Sequence, residues 1–180
     1  MKFGFSDAAI AVSTLSIMIV FAFTYQTDLR WTGHGLAGIY SLLFSIVATL
    51  IGAMIVGRVK RPTGINLLAL HKKITIYLAA LIVATFIYGV WSRTAHGELL
   101  FWQQSEPIVT VVQGWFGLVV TFAAITQVLP CLTARRKNRK LHMILGYTLT
   151  IMLVIQTWLG FGAAIIEIAE TAATVLPLLV

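Results

Sequence analysis

The chain is poor in acid. Six aspartates and glutamates stand among 180 residues, and charged residues of both signs make up 11%, against roughly 25% in an ordinary soluble domain. A water-facing surface over most of the chain is thereby excluded. Cysteine is limited to Cys131, which rules out an internal disulfide, an iron–sulfur cluster, a cysteine-rich zinc site and covalent haem attachment through C-x-x-C-H. There is no H-E-x-x-H, no Walker loop, no Gly-x-Ser-x-Gly elbow and no dinucleotide fingerprint, so catalysis by a protein nucleophile is not expected. Carboxylates are missing from the middle of every apolar stretch, which argues against a pump or ion-coupled transporter with a buried acidic relay. Proline is scarce as well, at four residues, and Pro130 near the end of one apolar stretch predicts a helix end or kink.

What remains is apolar: 59% of the residues are hydrophobic. A hydrocarbon core takes about 20 apolar residues to cross, and five stretches qualify, near 8–25, 35–57, 66–91, 107–131 and 141–166. The expected fold is an all-α integral membrane bundle of five transmembrane helices. Residues 1–30 form an accessory first helix, 31–168 a four-helix core with an internal two-helix repeat, and 169–180 an outer tail. The first stretch resembles a secretory signal, but its apolar run is long and no small-residue cleavage site follows, so it reads as a membrane helix.

The formal charge of +7 falls where topology asks for it. Arg58, Lys60, Arg61, Lys72 and Lys73 surround the second connection, and Arg135, Arg136, Lys137, Arg139 and Lys140 the fourth. The other connections and the tail carry Asp28, Glu98, Glu106, Glu167 and Glu170, with Arg30 and Arg93 as their basic residues. The positive-inside rule puts the second and fourth connections in the cytoplasm, the amino terminus inside and the carboxyl terminus outside. The expected location is the cytoplasmic membrane of a bacterium or archaeon. Nucleic acid is not needed to explain the charge; anionic lipid is a natural partner of such clusters.

The four histidines sit at the ends of apolar stretches and echo one another. Thr32-Gly33-His34-Gly35 resembles Thr94-Ala95-His96-Gly97, and Leu70-His71 resembles Leu141-His142. Gly89 follows His71 by eighteen residues, and Gly160 follows His142 by eighteen. By depth, His71 and His142 belong to the cytoplasmic side, His34 and His96 to the outer side. Histidines from different helices facing each other at one depth can hold a haem iron from both sides. Two haems b, one near each surface, fit the pattern; so does one haem on His71 and His142 with His34 and His96 lining an outer quinone pocket. A haem-free scaffold or transporter-like subunit is the reading from another class.

Other residues bear on these readings. Lys72, Lys73 and Arg139 or Lys140 are placed to meet anionic haem propionates. Glycines within or at the ends of the stretches, among them Gly35, Gly38, Gly52, Gly57, Gly89, Gly114, Gly117, Gly146, Gly160 and Gly162, allow backbones to come close. Gln113, Gln127 and Gln156 must find partners within helices, with Gln113 and Gln156 expected to bond between helices. Trp31, Trp91 and Trp102 suit an aromatic belt at the outer surface. The segment Gly97 to Glu106 has the mixed character of an interfacial element, a lid or the mouth of a quinone site.

The order and depth of the histidines resemble the cytochrome b561 family and related membrane di-haem b-type cytochromes. The resemblance covers roughly residues 31–166. It implies that the first histidine pairs with the third and the second with the fourth: His34 with His96, and His71 with His142. It also implies electron transfer across the bilayer through two bis-histidine haems, exchanging electrons with a quinone or a redox protein, in a homodimer or as a subunit of a larger redox complex.

Overall fold

The computed structural model describes residues 5–24, 30–95, 108–132 and 139–175. They form five helices, α1 (Phe5–Thr24), α2 (Arg30–Ile55), α3 (Leu67–Ala95), α4 (Ile108–Leu132) and α5 (Arg139–Val175), with no strand among the described residues. Four of these contain stretches long and apolar enough to cross a membrane: His34–Ile55, Leu67–Ala95, Ile108–Val128 and Arg139–Gly162. The apolar part of α1, Asp7–Phe23, is shorter than these. Among the described residues, then, four of the five expected spans are long and apolar enough to cross a membrane.

Helix ends differ from the sequence reading in ways that matter for the histidines. Helix α2 begins at Arg30, so His34 lies one turn inside it. Helix α3 runs on to Ala95, the residue before His96. Helix α4 passes through Pro130 and stops two residues later at Leu132. Helix α5 continues through Val175, which makes much of the expected tail helical. At about 1.5 Å per residue its 37 residues extend roughly 55 Å, well beyond a hydrocarbon core.

The connection between α2 and α3 is built to set His71 in place. Gly57 adopts a left-handed φ of 81°, and its N–H bonds the Met54 carbonyl at 3.1 Å while that of Arg58 reaches Ala53 at 2.9 Å, closing α2 in the manner of a glycine C-cap. Arg61 folds back over this end, its Nε donating to the Met54 carbonyl at 2.7 Å. Asn66 then starts α3 as its N-cap, Oδ1 accepting from the Ala69 N–H at 3.1 Å. His71 follows on the second turn.

Helix α2 packs on α3 and α5, and α4 packs on the same two helices, so α2 faces α4, and α3 faces α5, across the four-helix core. The interior is built of small and partly polar residues: Ala79 and Ala124 pack among Leu78, Ile82, Val120, Leu149 and Leu153, Ala37 packs with Ile17 and Leu81 and Ala48 with Ile51 and Ile74, and Ser41, Ser45, Thr75, Thr85, Thr121 and Gln127 are buried as well. Large apolar side chains such as Phe23, Ile87, Phe122, Ile151 and Trp158 point outward. This inversion of the water-soluble pattern is what lipid allows, since helices in a bilayer gain by close backbone approach and interhelical hydrogen bonds rather than by hiding leucine from water. One such bond cluster ties α2 to α5: Thr150 Oγ1 lies 2.8 Å from Ser45 Oγ and 2.9 Å from Thr49 Oγ1.

Helix α1 lies outside this core against α2 and α3. Tyr77 meets Ser13 Oγ at 2.6 Å, Phe21 stacks on Tyr88 with ring centroids 3.8 Å apart, and Lys73 pairs with Asp7 at 2.6 Å.

Candidate functional site

Helices α3 and α5 bring His71 and His142 together across the core, their ring centroids 6.1 Å apart and their planes at 83°. A metal–imidazole nitrogen bond is about 2.0–2.1 Å, so two imidazoles on opposite sides of one ion have centroids roughly 6 Å apart. The His71 Nδ1 lies 3.1 Å from the Ala48 carbonyl. A carbonyl only accepts, so Nδ1 carries the proton and Nε2 keeps its lone pair, the tautomer a metal ligand needs. The buried Nδ1 of His142 has no hydrogen-bond partner among the described residues. The spacing of the two rings and the tautomer of His71 fit a pair of imidazoles that would share one metal ion. Among the described residues no three of His, Cys, Asp and Glu gather in a metal-binding group, so the donor set in view is a pair.

The backbone beneath each donor follows one rule. His71 rests over Gly52, whose added Cβ would lie 3.5 Å from His71 Cε1, and bonds the carbonyl of Ala48, four residues before that glycine. His34 rests over Gly89, with a Cβ there only 3.0 Å from its Cε1 and 3.1 Å from its Nδ1, and so lies against the backbone of α3 as His71 lies against that of α2. Gln156 Nε2 would be 3.1 Å from a Cβ on Gly117 and donates to the Gln113 carbonyl at 3.2 Å; Gln127 Nε2 would be 3.2 Å from a Cβ on Gly146 and donates to the His142 carbonyl at 3.0 Å. In a helix the carbonyl of residue i−4 already accepts the N–H of residue i, and its second lone pair faces outward beside residue i. Without a side chain at i, a donor from the next helix can reach that lone pair. The glycines thus open carbonyls to particular partners, a more specific use than the close approach read from the sequence.

The remaining predicted site residues are spread out. Lys73 points to α1 and is engaged by Asp7, so it serves the α1 attachment. Lys72 is exposed on α3. Arg139 and Lys140 line, with Val56, Arg58 and Met143, an open cavity of about 420 Å³ beside the start of α5, one residue from His142. His34 is at the other end of the core, level with Gly89. His96 and the segment Gly97 to Glu106, including Trp102, lie outside the described residues, as do the charges at Asp28, Arg135, Arg136 and Lys137 and the side chain of Trp31.

Gln113 is the residue whose place sequence reading undervalued. Its amide nitrogen would be 3.2 Å from a Cβ on Gly160, so it lies on α5 as His34 lies on α3. The signal was present in the glycines: His34-Gly35-Leu36-Ala37-Gly38 and Gln113-Gly114-Trp115-Phe116-Gly117 share their spacing. Compared with known proteins, the chain matches no family model, no curated protein and no solved structure.

Proposed function

We propose that the protein is an integral membrane b-type cytochrome that transfers electrons, with haem held between His71 and His142 on the cytoplasmic side. The observation that carries this reading is the 6.1 Å separation of two imidazoles from facing helices, one of them with its proton fixed on Nδ1 by Ala48. Bound haem would supply reversible one-electron chemistry at iron. The chain's own residues do the rest: His71 and His142 would hold the group between their rings, Ala48 and Gly52 position the His71 ring, and the apolar helices would exclude water. Arg58, Arg139 and Lys140 at the adjoining cavity are the cations for propionates at this edge.

In this reading α2–α3 and α4–α5 are two copies of one helical hairpin, supported by the shared Leu-His starts of α3 and α5 and by the common glycine spacing of α2 and α4. Helix α1 is an accessory fifth membrane helix. The basic connection of residues 56–66 and that of 133–138 lie inside, with the carboxyl terminus outside. The electron partner is a quinone or a redox protein, and the chain works as a homodimer or within a larger redox complex.

The deciding experiment is a reduced-minus-oxidised spectrum with a pyridine haemochrome assay on protein purified after expression with ample haem. A low-spin b-type spectrum that H71A and H142A each remove is the expected result. Haem-free wild-type protein, or haem indifferent to both substitutions, refutes the assignment.

A further inference from the structure

We infer that the outer end of the core is a second haem site with one protein ligand, His34, and that its opposite face carries the Gln113 carboxamide in place of an imidazole, leaving that coordination position to a small exogenous ligand. The inference rests on the haem reading above and goes beyond it, because a bis-histidine outer site is what the histidine order alone suggests.

The geometry starts from the eighteen-residue steps. Eighteen residues are five full turns at 3.6 per turn, so Gly89 lies on the same face of α3 as His71, and Gly160 on the same face of α5 as His142. His71 and His142 approach each other across the core. About 27 Å further along, by helical rise, α3 and α5 therefore turn Gly89 and Gly160 toward the same space. His34 enters there from α2 over Gly89, and Gln113 from α4 over Gly160. The two levels alternate: at the inner one α3 and α5 supply imidazoles against Gly52 of α2, and at the outer one α3 and α5 supply glycines against His34 and Gln113.

His34 is seated as His71 is, with its ring edge over a glycine of the neighbouring helix, Gly89 for His34 and Gly52 for His71. Gln113 differs in kind. A neutral carboxamide is a poor donor to iron compared with imidazole, but its N–H₂ is a good hydrogen-bond donor to a ligand held there.

Carbon monoxide is the probe, applied to the reduced protein in detergent, with haem content and the ferric EPR spectrum read in parallel. The expected wild type holds two haems, one of which binds carbon monoxide and gives a high-spin ferric signal. H34A loses that haem and the response while keeping the His71–His142 haem. Q113H keeps both haems, loses the carbon monoxide response and turns the high-spin signal low-spin; Gln113→Ala keeps the response with faster ligand release. H96A leaves the wild-type spectra unchanged. A two-haem protein silent to carbon monoxide overturns the inference, and recovery of the response in H96A then assigns the place to His96. A single haem that H71A removes and H34A does not touch also overturns it, while leaving the inner site standing. Haem-free protein overturns both readings together.

Discussion

His71 donates its Nδ1 proton to the carbonyl of Ala48, 3.1 Å away on the neighbouring helix, and it can do so because the residue one turn after Ala48 is Gly52. The bond sets the tautomer and the ring angle at once, which is how an outer-shell carbonyl prepares a histidine for metal. His34 stands over Gly89 as His71 stands over Gly52. The tightness of the two cradles differs, and that difference gives a graded test.

A Cβ on Gly52 would lie at 3.5 Å from His71 Cε1, whereas on Gly89 it would lie at 3.0 and 3.1 Å from two atoms of His34. The first is ordinary contact; the second forces the ring to move. Gly52→Ala should keep the haem of the His71–His142 pair, and Gly52→Val should lose most of it. Gly89→Ala should already disturb whatever His34 binds while sparing the inner pair. Haem content and the difference spectra of the three purified variants check the order, and equal behaviour of Gly52→Ala and Gly89→Ala contradicts it.

The hydroxyl cluster of Ser45, Thr49 and Thr150 ties α2 to α5 at 2.8 and 2.9 Å. Interhelical hydrogen bonds in membranes average about 0.6 kcal/mol and reach roughly 1.7. Thr150→Val keeps the shape and removes the shared partner, so a loss of about 0.6–1.7 kcal/mol is expected in reversible unfolding from mixed micelles.

Helix α1 is fastened by Tyr77, whose hydroxyl meets Ser13 at 2.6 Å and Thr14 at 3.1 Å, and by the Asp7–Lys73 pair. Tyr77→Phe should cost about 1 kcal/mol and leave haem content intact, because α1 lies outside the four-helix core. The ion pair is largely open, with side chains 46% and 25% exposed, so a double-mutant cycle on Asp7 and Lys73 should give a coupling under about 1 kcal/mol. A haem loss in Tyr77→Phe shows that α1 shapes the core after all.

Orientation is open to chemical labelling. With Cys131→Ser as background, Gly64→Cys in the exposed α2–α3 connection should react with a membrane-impermeant maleimide only after cells are permeabilised. Labelling in intact cells reverses the proposed topology.

The helices were legible because apolar runs of this length have few other uses, and His71 and His142 stood out because Leu-His opens two of those runs. The short apolar part of α1 was harder, since composition alone does not show that Asp7 at its start is held by Lys73 of α3 rather than left to solvent. Lys73 could not be separated from Lys72 by sequence for the same reason: both are exposed, and it is rotation about α3 that brings Lys73 to Asp7 of α1. The place of Gln113 against Gly160 was hard to see because its neighbouring residues carry no histidine echo to mark it. Glycine spacing carried the positional information. It was readable only once the register of α2 on α3 and of α4 on α5 was known.

The glycine cradles have an uneven tolerance. Taking away the donor leaves a carbonyl that still holds its own helix bond, a mild change. Filling the glycine with a side chain too large for its cradle, alanine at Gly89 or valine at Gly52, displaces the donor and strands a polar group in hydrocarbon, a severe change. Related chains that share this bundle should therefore exchange histidine and glutamine at the donor positions far more freely than they replace the glycines beneath them, so that cofactor number can drift within a scaffold that stays the same.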